Sequence, residues 1–178
     1  MKRPVPDQVI LGLIKAKPAH GYELLEKFDS PTHLGRIWTM STSQLYAVLK
    51  RLEESSLISG MQTETEEAPP RMIYTITDAG ENELLNWLFD PDPPTSIHRL
   101  RIMFLSRLYI ADILNLPIAP IFANQRTVCA DQIEKFQLEK TRVGSKLEML
   151  TIGFIIGQLE SAIEWLKEAE KGWKDDRQ

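Results

Sequence analysis

Cysteine is nearly absent from this 178-residue chain. There is one, Cys129, so no internal disulfide can form, and a reducing, cytoplasmic setting is expected. Long apolar runs are missing too: no uninterrupted stretch reaches the roughly 18 residues that a bilayer span needs, so no membrane partner is expected. The leading MKRPVPDQVILGLIKAKP is interrupted by Asp7 and Lys15 and followed by no small-residue cleavage site, which argues against a secretory signal. A basic excess is also lacking. The net charge is −4; residues 1–92 carry 9 Lys and Arg against 14 Asp and Glu, and residues 93–178 carry 12 against 11. Bulk electrostatics therefore do not draw the chain to nucleic acid, and any such site must be a local patch.

The constellations of catalysis are missing as well. His20, His33, His98 and Cys129 stand at no metal-ligand spacing. The pairs Glu53/Glu54 and Glu66/Glu67 are adjacent residues, which do not face one another across a cleft as an acid and a base must. Cys129 has no local nucleophile signature, and neither a phosphate-binding glycine loop nor a nucleophile elbow occurs. No enzyme activity, metal or cofactor is expected.

What is present is pattern. In 41–57, STSQLYAVLKRLEESSL, the residues Leu45, Val48, Leu49 and Leu52 recur at helical spacing and form one apolar stripe. Ser41 with Gln44 fits a capping box at the helix entrance. The first turn is short, polar and neutral, and Lys50 and Arg51 follow two turns on. Hydroxyls and amides for base edges, then cations for phosphate, suit a helix lying in a DNA groove.

Around this helix the elements fall in a definite order. A first helix over 7–17, capped by Asp7, turns Val9, Ile10, Leu13 and Ile14 inward and stops at Pro18. The turn His20-Gly21-Tyr22 opens a short second helix with Leu24, Leu25 and Phe28 inward. Residues 29–40 read as a loop anchored by Ile37 and Trp38. After the 41–57 helix, 57–63 and 72–77 have strand character, and the ETEEAPPR between them reads as loop. Asp78 with Glu81 forms a second capping box before a helix through Leu84, Leu85, Leu88 and Phe89. Helix, helix, helix, hairpin, helix is the order of a winged helix-turn-helix, here 1–90.

A proline-rich linker, 91–96, precedes an all-helical part, 97–178. One helix over 97–114 presents Leu100, Met103, Phe104, Leu108 and Ile110. A second stretch, 121–149, reads as one helix of about 29 residues, roughly 43 Å, with Gly144 as the place for a bend. The last helix, 151–172, carries the stripe Ile152, Ile155, Ile156, Leu159, Ile163 and Leu166, and Gly153-x-x-x-Gly157 suits close helix approach. Helices this long lie along a partner, so 97–178 is expected to dimerise through that stripe. The fold class is mainly α: a winged helix-turn-helix followed by an all-helical dimerisation domain.

Several segments, in order, resemble PadR-type transcriptional regulators: Ile10-Leu11-Gly12-Leu13, His20-Gly21-Tyr22-Glu23-Leu24, Gln44-Leu45-Tyr46, Leu49-Lys50-Arg51-Leu52-Glu53, and Pro70-Arg71 with Tyr74, Thr77 and Ala79-Gly80. The resemblance covers 9–85 and is looser beyond. It implies a homodimeric repressor on palindromic double-stranded DNA, released by a small-molecule effector. It implies that Ser41, Thr42, Ser43, Gln44 and Tyr46 face the groove and that Lys50, Arg51 and the wing residue Arg71 meet phosphate. Some relatives stack flat effectors on aromatics, for which Trp87 near the linker is the candidate, with a place in the core as its alternative reading. Two departures stand out. Ser55-Ser56 replaces the glycine that the family has before the wing, and a single cation, Arg71, sits beside Glu64, Glu66 and Glu67. This acidity keeps a rival in view: a winged helix that binds a protein in place of DNA.

Overall fold

The structure, a computed structural model, describes residues 6–31, 34–65 and 68–175, with 63–65, 68–70 and 174–175 described as backbone. The chain divides into two compact units, Met1–Phe89 with Leu105–Pro117, and Asp90–Phe104 with Ile118–Gln178.

The first unit contains α1 (Asp7–Ala16), the two-residue β1 (Ala19–His20), α2 (Gly21–Asp29), a 3-10 turn (Leu34–Arg36), α3 (Thr42–Glu54), the hairpin β2 (Ile58–Thr65) and β3 (Ala68–Ile76), and α4 (Asp78–Leu88). The sheet order is β1-β3-β2, all antiparallel, with Ala19 opposite Tyr74 and Gly60 opposite Tyr74 on the other side. The core collects Ile10, Leu11, Ile14, Leu24, Phe28, Leu34, Leu45, Leu49, Leu52 and Ile58, all essentially inaccessible. Each such side chain contributes about 1.5–3 kcal/mol by leaving water. This is the winged helix-turn-helix that the element order predicts.

Local details differ. The hairpin strands run to Thr65 and resume at Ala68, so the stretch expected as loop lies in strands except at Glu66 and Glu67, which fall outside the described residues. An irregular register between Thr63 and Thr65 absorbs the mismatch, and β1 covers β3 only at Ile73 and Tyr74. Beyond it, no strand among the described residues lies on the side of β3 away from β2, so of the adjacent Pro69 and Pro70, whose nitrogens point to opposite edges, one costs no ladder hydrogen bond there. Thr77, not Asp78, caps α4: its Oγ1 accepts Gly80 N–H at 3.1 Å and donates to Ser56 O at 2.8 Å. Asp7 is the first residue of α1 and not its cap. Ile37 and Trp38 are half-buried; Trp38 packs edge-on against the buried Phe28, and Leu34 and Met40 share the anchoring.

α6 (Leu105–Ile113) also belongs to this first unit. Its Ile110 lies so close to α1 that a Cβ added at Gly12 would stand 2.4 Å from Ile110 Cγ2. Ser106 accepts the Trp38 indole N–H at 3.1 Å. Residues 97–113 thus form one helical run that changes unit partway. Its first part is α5 (Ile97–Arg99) and a wider π-helical stretch, Leu100–Phe104.

In the second unit, α7 (Ala119–Lys140) and α8 (Lys146–Asp175) pack together. The single helix expected over 121–149 is broken at 141–145. Thr141 Oγ1 donates to Leu138 O and Arg142 N–H to Glu139 O, closing α7, and Gly144 lies in the turn. Phe104 meets both Phe122 and Trp165 edge-on, and Arg126 pairs with Glu170 between α7 and α8. By length and composition alone, α8 suffices to cross a bilayer over Lys146–Trp173. The reason is that it carries two apolar faces. Ile152, Ile156, Leu159 and Leu166 are buried within the chain, while Leu147, Leu150, Phe154 and Trp165 on the opposite side are exposed.

Candidate nucleic-acid interface

α3 begins at Ser41, whose extended backbone (φ −82°, ψ 158°) turns its hydroxyl onto Gln44 N–H at 3.3 Å. Gln44 Oε1 in turn accepts Ser41 N–H at 2.9 Å, completing the capping box. The Ser41 and Ser43 hydroxyls are in hydrogen-bond contact at 3.1 Å. Ser41, Thr42, Ser43, Gln44 and Tyr46 are all exposed, whereas Leu45, Val48, Leu49 and Leu52 are buried. The apolar stripe therefore fixes the helix roll, and the polar first turn is left facing outward with the positive end of the helix behind it.

Beside Tyr46, the start of α2 and strand β3 frame an open cavity of about 470 Å³, lined by His20, Tyr22, Tyr46, Arg71, Met72 and Tyr74. His20 Nδ1–H donates to Met72 O at 2.8 Å, which ties the second helix to the wing. The His20 and Tyr22 rings stack with centroids 5.6 Å apart and 9° between planes, and the Arg71 guanidinium lies 5.5 Å from the Tyr22 centroid. The wing cation is thus carried on an aromatic platform. Gly21 packs against the Tyr46 ring: an added Cβ would stand 3.0 Å from the Tyr46 hydroxyl, so the exposed tyrosine would have to give way by a few tenths of an ångström. Burial pushes the Tyr74 phenol pKa up, and Glu53 and Tyr46 add to the shift, so the phenol stays protonated.

The two cations expected on phosphate are placed differently from one another. Lys50 is exposed, with Glu54 3.8 Å away on the next turn. Arg51 is closed on Asp7 of α1: its Nε donates to Oδ2 at 2.9 Å and its Nη2 to Oδ1. That bidentate pair raises the guanidinium pKa and turns the side chain to bracing α3 against α1. Tyr22 and His20 were missed as members of this surface. Their motif, His20-Gly21-Tyr22, is visible in the sequence, but nothing in its spacing shows that Arg71, some fifty residues on, lies over the ring.

Trp87 is buried, and its face is occupied by the Arg107 guanidinium 5.4 Å from the ring centroid. Its indole N–H has no hydrogen-bond partner among the described residues. Cys129 is fully buried, and burial pushes its thiol pKa up. His33 falls outside the described residues, and the side chain of Glu64 is likewise undescribed. Of the six residues expected to dimerise, Ile152, Ile156, Leu159 and Leu166 are covered within the chain, and Ile155 and Ile163 are half-buried.

The Transcriptional regulator PadR-like family matches residues 10–86. The chain is 33% identical over 84 residues to the negative transcriptional regulator PadR of Bacillus subtilis, covering 47% of this chain and 45% of that protein. It is 29% identical over 91 residues to the probable transcriptional regulator Rv1176c of Mycobacterium tuberculosis, covering 51% of this chain and 47% of that one. The chain thus spans about half the length of these curated relatives. Among solved structures, that of Bacillus subtilis PadR in complex with operator DNA is similar at 22% identity and a TM-score of 0.49, covering 95% of this chain and 97% of that one. The likeness to the PadR-like family of transcriptional regulators thus rests on residues 10–86.

Proposed function

We propose that the chain is a cytoplasmic, homodimeric DNA-binding repressor and not an enzyme, with the first turn of α3 in the major groove. The observation that carries this reading is the exposed polar run Ser41–Thr42–Ser43–Gln44 at a capped helix start, with Arg71 held beside it on Tyr22. In this reading Ser43, Gln44 and Tyr46 meet base edges, Ser41 and Thr42 lie at the backbone, and Lys50 and Arg71 meet phosphate. Arg51, engaged by Asp7, positions the helix. A two-fold dimer sets two such helices about one DNA turn apart, which requires a palindromic operator. The dimer surface is the stripe Leu147, Leu150, Phe154 and Trp165, four large apolar side chains on one side of α8 that the single chain leaves exposed. Release by a small-molecule effector completes the reading. At Trp87 such a ligand would displace Arg107 from the ring and supply an acceptor to the indole N–H.

The rival, a protein-binding winged helix, draws support from the net charge of −4 and from the engagement of Arg51 by Asp7. Anisotropy titration of the full chain against a duplex pool and its own upstream DNA separates the two. Sequence-preferring binding at 50–100 mM salt is expected, with a slope of log K against log salt no steeper than about −6 for the dimer, because few cations are offered. Dimeric protein with no sequence preference under those conditions would sink the repressor reading.

A further inference from the structure

The cap of α3 decides what its most exposed amide can offer a base. Gln44 Oε1 is occupied by the Ser41 backbone N–H at 2.9 Å, and the Ser41 hydroxyl returns the bond through Gln44 N–H at 3.3 Å. Among the described residues no group accepts from Gln44 Nε2, and the side chain is exposed. A glutamine that grips adenine uses both ends of its amide at once: Oε1 accepts from N6–H while Nε2–H donates to N7. Here one lone pair of Oε1 is committed to Ser41 N–H, a donor at the helix entrance that has no partner within the helix, and that bond fixes the direction of the amide, so turning Oε1 to meet adenine N6–H strains the cap. Guanine and thymine ask nothing of Oε1. Guanine N7 and O6, and thymine O4, are all acceptors; adenine N7 accepts as well, but a contact made by Nε2–H alone leaves the neighbouring N6–H donor unmet.

We propose that Gln44 reads the major groove as a donor only, through Nε2–H, so that each half-site places an acceptor edge, guanine or thymine, opposite it and disfavours adenine. This assignment rests on the DNA-binding reading above and names the base edge which that site takes. Capping and readout are divided between the two ends of one amide.

Selection from a randomised duplex pool by the full chain, by Gln44→Ala and by Gln44→Glu tests it. Glutamate preserves the capping box but replaces both amide donors by acceptors. The wild type is expected to select guanine or thymine over adenine about tenfold at one position per half-site. Gln44→Ala flattens that position alone. Gln44→Glu moves it toward cytosine or adenine, whose N4–H or N6–H donates. Analogue duplexes then identify the base without any substitution in the protein. Loss of binding with 7-deazaguanine assigns guanine, and loss with 5-methyl-2-pyrimidinone, which lacks O4, assigns thymine. Adenine at the Gln44-dependent position, weakened by 7-deazaadenine, overturns the proposal. So does a selection profile that Gln44→Ala leaves unchanged. Failure of the wild type to select any sequence is a different result, and it strikes the DNA-binding reading itself.

Discussion

At the scale of single residues, ion pairing decides roles that charge alone leaves open. Lys50 and Arg51 are neighbours in the sequence, yet one is held loosely by an exposed carboxylate on its own helix and the other is forked onto Asp7 of α1. The Arg51 side chain is about half exposed, so solvent screening keeps the pair's contribution small. Arg51→Ala is expected to lower unfolding free energy by less than about 1 kcal/mol in urea melts. It should weaken DNA binding less than Arg71→Ala does in parallel anisotropy titrations. A larger effect on affinity than that of Arg71→Ala would return Arg51 to the phosphate-contacting set. Cys129 gives a second residue-level expectation. Burial disfavours its thiolate, so the folded pKa lies above the unfolded one. The folded state then binds this proton more tightly. Stability is fully present below the ordinary thiol value and is lost as pH rises through the folded value. Alkylation by iodoacetamide near neutral pH, followed by mass spectrometry, should be slow in the native protein and fast in denaturing urea. Equal rates would contradict the burial.

At the scale of elements, termini and breaks carry the departures from the simple pattern. α3 ends in a Schellman motif: Leu57 N–H donates to Leu52 O and Ser56 N–H to Glu53 O, both at 2.9 Å. The residue that must turn left-handed is Ser56, at φ 56°, where relatives with glycine would carry no Cβ penalty. Ser56→Gly is therefore expected to stabilise the protein by about 0.5–1 kcal/mol, after the entropy that glycine adds to the unfolded chain is deducted. A lowered thermal midpoint for this variant would show that the left-handed turn is not what costs stability there. Gly80 shows the opposite constraint. A Cβ would stand 2.0 Å from Leu57 O, so the first turn of α4 approaches the chain after α3 only because this side chain is missing. In the helical part, α7 ends at Lys140 and does not run on to Met149, because the chain turns back at 141–145. It then packs back against α8.

For the whole molecule, the decisive question is which apolar surface remains for a second copy. α8 carries two such faces, one packed within the chain and one exposed. On the proposed dimer, Phe154→Asp, on the exposed face, is expected to convert dimer to monomer in sedimentation equilibrium and to abolish the proposed operator binding at protein concentrations where the wild type is saturated. The folded monomer should keep its far-ultraviolet dichroism, since Phe154 is largely in solvent. Persistence of the dimer would move the interface elsewhere. Leu159→Asp, on the packed face, should instead unfold the second unit.

The sequence by itself determined the elements whose signals are local. Apolar spacing in α3, the reciprocal Ser41–Gln44 cap and the helix-helix-helix-hairpin-helix order all arise within a few residues of chain, and the observed winged helix-turn-helix follows them. Turns and strand ends were less legible, because Pro69 and Pro70 are breakers in most settings and are accommodated here only by an irregular edge. Tertiary structure alone decided the rest: that Arg51 meets Asp7, 44 residues away; that Tyr22 carries Arg71; and that Arg107 covers Trp87. It also decided that Ile152, Ile156, Leu159 and Leu166 serve the chain's own core. The physical reason is the same in each case. A periodic pattern states that a face must be covered, and a charge states that it must be solvated or paired. What does the covering or the pairing depends on which distant element the fold brings alongside.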